Sequence, residues 1–297
     1  MLTLQAPAKI NWSLYVLNKR DDGYHNILSL MQCIGLYDTL SFEYSDGIEL
    51  VSDMDIQTHQ NLVFKAARML QQHAGTKNGA RIILEKEIPS GAGLGGGSSD
   101  AAYTLIGLNK LWGLGIDSSE LKSIGSELGS DVPFFFDCPI AIAQGRGEML
   151  TPLKLNAAYT LLLVKPPVSV STAWAYEAVR SASADSIVRE GVCGGNLELT
   201  KIDNKINNIQ LIYRALNTGD IYSLRSMVHN DFEDVVIKQH QVIGDIKDKL
   251  LECGALLALM SGSGSAVFGL FEDRDTAISS AGHFSRCFNR VVNTLTD

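Results

Sequence analysis

Residues 88 to 102 read IPSGAGLGGGSSDAA, with glycine at 91, 93, 95, 96 and 97. Glycine reaches positive φ without a Cβ clash, so such a run lets successive backbone amides turn inward and form a concavity for an anion. The spacing predicts a helix from about Ser98, with Ala101, Ala102, Leu105, Ile106, Leu108 and Leu111 on its apolar face. Its first turn would add unpaired N–H groups and roughly +0.5 of a charge at the same point. Phosphate is the natural guest of such a loop.

Other glycine motifs fit less well. A Walker A loop closes on GKS or GKT, and no lysine stands between Lys86 and Lys110. Gly91, Gly93 and Gly96 match GxGxxG after the strand-like ARIILEKEI, with Asp117 in the place of a ribose-binding acid, which keeps a nicotinamide-dependent oxidoreductase as an alternative. The second strand of that fold is missing, because SSDAAYTLIGLNKLWGLGID reads as helix and turn. A flexible surface linker would have polar flanks and no amphipathic helix behind it.

Other residues have chemistry to offer that loop. Lys9, in APAKIN on an alternating strand, reads either as an exposed strand lysine or as a cation for transferring phosphoryl oxygens. Asp131, in LGSDVPFFF, reads either as a helix cap or as an acid that orients or deprotonates a substrate hydroxyl. Tyr24 and His25 follow an Asp-Gly turn and read either as polar surface or as an aromatic face beside an imidazole, the means to recognise a base. Trp174 and Tyr176 sit two apart on a predicted helix, so one of them can face a cleft. A second glycine cluster, SGSGS at 261 to 265, is either a plain hairpin turn or a second group of amides and hydroxyls for phosphate or substrate. HNDFE at 229 to 233 reads as a polar helix face in solvent, with a place lining the cleft as the alternative.

These residues need a sizeable scaffold. The 297-residue chain is 45% hydrophobic and 20% charged, enough for two domains, which we place at 1 to 152 and 153 to 297. The net charge of −8 argues against a sequence-independent nucleic-acid binder, and no apolar run approaches the ~20 residues of a membrane span. Five scattered cysteines without CxxC spacing read as buried thiols. The N-terminus reads as a first strand instead of a signal peptide, so a cytoplasmic location is expected.

The first half reads as strands near 2 to 17, 29 to 36, 39 to 45 and 47 to 52, a helix near 61 to 74, a strand at 80 to 87, and helices at 98 to 112 and 118 to 129. The second opens on the strand YTLLLVK and carries helices near 171 to 182, 205 to 217, 220 to 237 and 241 to 253. Strands ALLALM and AVFGLF, a helix near 274 to 286 and the strand NRVVNTL close it, an order that suits a ferredoxin-like sandwich. The stretch 183 to 204 reads as the loosest segment. The class is α+β, without the strict βαβ alternation of a doubly wound sheet.

PAKIN, PSGAGLGGGSSDAA and SGSGSAVFGLF resemble the three motifs of the GHMP small-molecule kinases, and the resemblance spans nearly the whole chain. DGYHNI, LYDTL, GSDVPFFF, GRGE and VSTAWAY are similar to the branch of that family that phosphorylates a cytidine diphosphate-linked sugar alcohol on its 2-hydroxyl in non-mevalonate isoprenoid synthesis. The resemblance implies an N-terminal domain like ribosomal protein S5 domain 2, a ferredoxin-like C-terminal domain, and a site between them. It implies ATP on Pro89, Ser90, Gly91, Ala92, Gly93, Leu94, Gly95, Gly96, Gly97, Ser98 and Ser99, with Lys9 and Asp131 as the catalytic pair, Asn11 assisting by hydrogen bonding, and Tyr24 and His25 on the cytosine. Tyr176 would stack on its other face, with Trp174 as the competing position. Magnesium is expected with ATP on phosphates and waters, Ser98 or Ser99 offering a hydroxyl; no metal-ligating acid stands out. Homoserine and mevalonate kinases of the same family remain alternatives, as does a non-catalytic nucleotide sensor. Gln144 and Trp12 depart from the family pattern, away from the proposed chemistry.

Overall fold

The computed structural model describes residues 1–54, 57–136, 139–190 and 195–296, with side chains between 183 and 201 left aside. The first half runs β1 (Leu2–Lys19), β2 (His25–Ser45), β3 (Ile48–Ser52), α1 (Leu62–His73), β4 (Gly79–Glu85), α2 (Gly96–Trp112), α3 (Ser118–Leu128), β5 (Ile140–Gln144) and β6 (Met149–Leu153). The second runs β7 (Thr160–Lys165), α4 (Thr172–Glu190), α5 (Gly195–Thr218), α6 (Ile221–Met227), β8 (His229–Asn230), α7 (Glu233–Gln239), α8 (Gln241–Glu252), β9 (Leu257–Met260), β10 (Val267–Phe271), α9 (Arg274–Ala281) and β11 (Phe288–Asn293).

Among the described residues two sheets form. One carries the path β3-β4-β2-β1-β8, with β5 paired to β2 and β6 to β5; the other has the order β11-β7-β10-β9, fully antiparallel. The second is the strand order of a ferredoxin-like sandwich, reached by the βα, ββαβ sequence expected above. Helices α1, α2 and α3 cover one face of the larger sheet around Phe42, Leu70, Ile82, Leu105 and Phe134. Helices α8 and α9 cover the outer face of the smaller sheet. Between the sheets a shared core joins Ile10 and Trp12 of β1 to Leu161 and Leu163 of β7 and Phe268 of β10. Trp12 packs edge-on against Tyr159 and Phe268, with ring centroids 5.9 and 5.5 Å away, and donates its indole N–H to Gln32 at 2.7 Å.

The structure corrects several boundaries. The strands expected at 29–36 and 39–45 are one continuous β2, whose partner β1 slips register between Pro7 and Ala8, opposite Gly35 and Leu36. Pro7 has no N–H for the ladder, and the bulge bends the pair there. α2 begins at Gly96, two residues before Ser98, because Gly95 takes the left-handed N-cap position at φ 71°. The helix expected over 220–237 breaks into α6, β8 and α7: Val228 turns extended, and His229 and Asn230 pair in parallel with Ser13 and Leu14. The stretch read as loose is helical on both sides, no proline interrupting it, while residues 191–194 fall outside the described residues. Cys33 is buried and Cys253 and Cys287 are half-buried; Cys138 and Cys193 fall outside the described residues.

Candidate active site

β1 delivers Lys9 and Asn11 just past the bulge. The Lys9 backbone N–H donates to the Leu94 carbonyl at 2.9 Å, tying the strand to the glycine loop. The Lys9 ammonium donates to Asn11 Oδ1 at 2.7 Å and to the Gly93 carbonyl at 3.0 Å, and it stands 3.7 Å from Asp131 Oδ2. Asn11 is held in turn, its amide donating to Ser29 Oγ at 2.8 Å. The Lys9 side chain is 4% exposed and that of Asp131 is 35% exposed. Burial pulls the ammonium below the usual lysine range, with the Asp131 carboxylate opposing. Asp131 lies in the turn beyond α3 and caps neither of its ends, which belong to Asp117 and Gly129. Asp117, the residue a dinucleotide fold would use on ribose, accepts the Glu120 N–H at 2.8 Å as the N-cap.

The glycine loop crosses between Lys9 and the second loop. Gly91, Gly93 and Gly95 have φ of 61°, 75° and 71°, the left-handed region. A Cβ on Gly93 would sit 2.0 Å from the Ser261 carbonyl oxygen, and one on Gly95 2.9 Å from the Phe135 ring and 3.0 Å from Lys9 Cγ. SGSGS therefore braces the first loop: Ser261 Oγ donates to the Gly93 carbonyl at 3.0 Å and the Ala266 N–H to the Ala92 carbonyl at 3.1 Å. Asn230, expected in solvent, is buried behind this contact. Its amide donates to the carbonyls of Met260 at 2.7 Å and Gly262 at 2.8 Å, and its Oδ1 accepts the Phe232 N–H at 3.0 Å. The same motif's Glu233 accepts the Met260 N–H at 2.8 Å.

These residues open onto a cavity of about 1190 Å³. It touches Pro89 through Ser98, and Lys9, Asn11, Asp131, Tyr24, His25 and Tyr176 as well. Ser99 is fully buried, does not line the cavity, and its hydroxyl has no hydrogen-bond partner among the described residues. His25 and Tyr176 stack with centroids 5.1 Å apart and planes 11° apart, and Phe232 meets Tyr176 edge-on at 4.9 Å. Burial, then Lys19 and Arg180, lower the His25 pKa, so its imidazole is neutral at neutral pH and has one donor and one acceptor. Tyr24 is exposed, with the Arg146 guanidinium 5.0 Å over its ring. Trp174 also touches the cavity but packs edge-on against His240.

The GHMP kinases N terminal domain matches residues 61–139 and the GHMP kinases C terminal domain residues 212–286. The chain belongs to the GHMP kinases. A 4-diphosphocytidyl-2-C-methyl-D-erythritol kinase of Thermodesulfovibrio yellowstonii is 49% identical to this GHMP kinase over 100% of the chain and 99% of its own length. One of Syntrophotalea carbinolica is 40% identical, covering 96% and 95%. A crystal structure of 4-(cytidine 5'-diphospho)-2C-methyl-D-erythritol kinase superposes with a TM-score of 0.78 at 32% identity, covering 98% of this chain and 99% of that one. An L. major mevalonate kinase shares the fold at a TM-score of 0.75 and 16% identity, covering 100% and 97%.

Three charged residues escaped the sequence reading. Lys86, just past β4, forms ion pairs with Asp38 of β2 and, at 2.7 Å, with Asp100 of α2, directly under the loop of this GHMP kinase. Burial pushes the Asp100 carboxyl up to about 7, Lys86 drawing it down and Asp38 adding to the rise. No periodicity marks such a trio, because its members come from three separate elements.

Proposed function

We infer that this GHMP kinase transfers the γ-phosphoryl group of ATP to the 2-hydroxyl of 4-(cytidine 5'-diphospho)-2-C-methyl-D-erythritol. The observation that carries this is the Lys9–Asp131 pair, set between the glycine loop and the His25–Tyr176 stack within one cavity. Near full-length identity of 49% to a relative of that name supports the choice of acceptor.

The residues present fit a triphosphate. The inward-turned loop has no side chain at Gly91, Gly93, Gly95, Gly96 and Gly97, and the Cβ positions at 93, 95 and 96 are already filled by neighbouring atoms at 2.0, 2.9 and 2.8 Å. Only backbone can present itself there, and the first turn of α2 directs its N–H groups at the same place. Bound ATP supplies the phosphoryl group. Among the described residues no group of three or more His, Cys, Asp or Glu is arranged to hold a metal. Mg²⁺, when bound with ATP, would be held by the nucleotide's phosphates and waters, with the Ser98 hydroxyl lining the same cavity, and would neutralise phosphate charge.

The chain's own work is positioning and proton transfer. Spheres of ~2.8 Å around Lys9 Nζ and Asp131 Oδ2 intersect, so one hydroxyl oxygen can lie within hydrogen-bonding distance of both. Asp131 takes the proton from that hydroxyl, and the Lys9 ammonium offsets the negative charge that develops on the oxygens. Asn11 fixes the ammonium and reaches the acceptor. Tyr24 and the neutral His25 read the cytosine, and Tyr176 covers its face. A cytoplasmic location belongs to the same reading, which Cys253 and Cys287, outside any disulfide among the described residues, support.

The test is turnover of the purified protein with ATP and each of three alcohols, the cytidine-bearing one, homoserine and mevalonate, with the product identified by mass. Preference for either alcohol without cytidine overturns the acceptor. Calorimetry showing NAD binding and no ATP binding overturns the reaction class.

A further inference from the structure

Phosphoryl transfer as described above makes no use of Asp38, Lys86 and Asp100, yet Lys86 and Asp100 line the same cavity. Their side chains are buried, with exposures of 0%, 11% and 3%. Asp38 Oδ2 accepts from the Lys86 ammonium, and its Oδ1 accepts the N–H of Glu87 at 2.7 Å and of Ile88 at 2.8 Å. Those two amides belong to the backbone that enters the glycine loop. Asp100 Oδ2 accepts from the same ammonium at 2.7 Å, from the first turns of the helix that leaves the loop. Its Oδ1 is buried and has no hydrogen-bond partner among the described residues. A Cβ on Gly96 would lie 3.3 Å from Lys86 Nζ and 2.8 Å from Ile88 Cγ2, so the ammonium is seated in the neck of the loop.

Burying three charges is a poor way to gain stability, since apolar side chains of equal volume usually do as well or better. What the trio does fix is geometry: one ammonium joins the strand entering the loop to the helix leaving it, with a third element as anchor. Small displacements of a phosphate-binding backbone are costly to phosphoryl transfer.

We propose that Lys86 and Asp100 are positioning residues for ATP, with Asp38 as their anchor, holding the two ends of the glycine loop at the spacing its amides need to meet the triphosphate. This rests on the loop being the ATP site.

The test compares Asp100→Ala with Asp100→Asn, because asparagine keeps a carbonyl oxygen for Lys86 and alanine does not. Asp100→Ala raises KM for ATP about tenfold or more, while kcat at saturating ATP and KM for the cytidine-bearing alcohol stay within about twofold. Asp100→Asn brings KM for ATP back to within about threefold of the wild type. Lys86→Met strands two buried carboxylates and can fail to fold, which is why the position-100 pair decides the matter. An unchanged KM for ATP in Asp100→Ala overturns the proposal. So does a rise in both KM values together with a lowered Tm, the mark of a merely structural role, or an asparagine variant no better than alanine. A wild type that neither binds nor uses ATP removes the loop assignment as well, whereas failure beside an ATP-using wild type removes only the positioning role.

Discussion

Replacing three loop glycines by alanine one at a time separates backbone strain from steric fit. Gly93→Ala places a side chain at φ 75°, which costs about 1–2 kcal/mol. Its Cβ would also lie 2.0 Å from the Ser261 carbonyl oxygen, roughly 1.3 Å inside the ~3.3 Å at which carbon and oxygen normally meet. Relief requires parting the two loops, which breaks the 3.0 Å bond from Ser261 Oγ to the Gly93 carbonyl and the 3.1 Å bond from the Ala266 N–H to the Ala92 carbonyl. At about 1 kcal/mol for each, the loss totals roughly 3–4 kcal/mol. Gly91→Ala shares the left-handed backbone at φ 61° but meets nothing nearer than Ser169 Oγ at 3.7 Å, so it costs only the strain of about 1–2 kcal/mol. Gly97 is helical, and the nearest atom to its added Cβ is Leu62 Cδ1 at 3.5 Å, so Gly97→Ala is neutral or stabilises by up to about 1 kcal/mol. Denaturant unfolding gives the stabilities, and ATP titration follows the loop. Equal losses for Gly91→Ala and Gly93→Ala would refute the argument that contact with the second loop sets the geometry of the first.

Asp131→Asn should retain ATP binding and lower kcat by roughly 10² or more, the loss expected for a positioned base; near-normal turnover ends its assignment. Because burial lowers the Lys9 pKa, the ammonium is lost below the ordinary lysine value of 10.5, and the alkaline limb of kcat falls in that window. A base that binds its proton more weakly when folded gains stability as pH climbs through its lowered pKa, so the unfolding free energy of the wild type relative to Lys9→Met should rise as activity falls. A flat difference across that range would contradict the shift. Asn230→Ala leaves two buried carbonyls and one N–H without partners and should cost about 3 kcal/mol in denaturant unfolding; a loss under about 1 kcal/mol would show the contact to be incidental.

The shape of the loop was legible in the sequence, with glycines where φ must be positive, whereas Lys9 and Asp131 each carried two local readings, and only the fold brings the two side chains within 3.7 Å. The ferredoxin-like order was legible from the succession of elements. Asn230 was not, because HNDFE carries the polarity of an exposed helix face, and only its pairing with β1 and the carbonyls of a distant loop makes burial favourable. The break in the helix expected over 220–237 has the same cause, tertiary hydrogen bonds overriding local propensity. Lys86 and Asp100 flank the glycine motif, but their meaning depends on Asp38, some fifty residues away in the chain. The competition between Trp174 and Tyr176 was left open by their two-residue spacing, and Tyr176 is the one found stacked on His25.

The carbonyl of Gly93 receives both the Lys9 ammonium and the Ser261 hydroxyl, so a single peptide group is shared by the two halves of the chain. Grafting the second half of one relative onto the first half of another would therefore demand matched loops on both sides of that group, or else the chimera would lose its nucleotide grip while each half kept its own core. A bulkier residue in either loop at this seam therefore calls for an answering change in the other, since a Cβ at Gly93 already overlaps the Ser261 carbonyl.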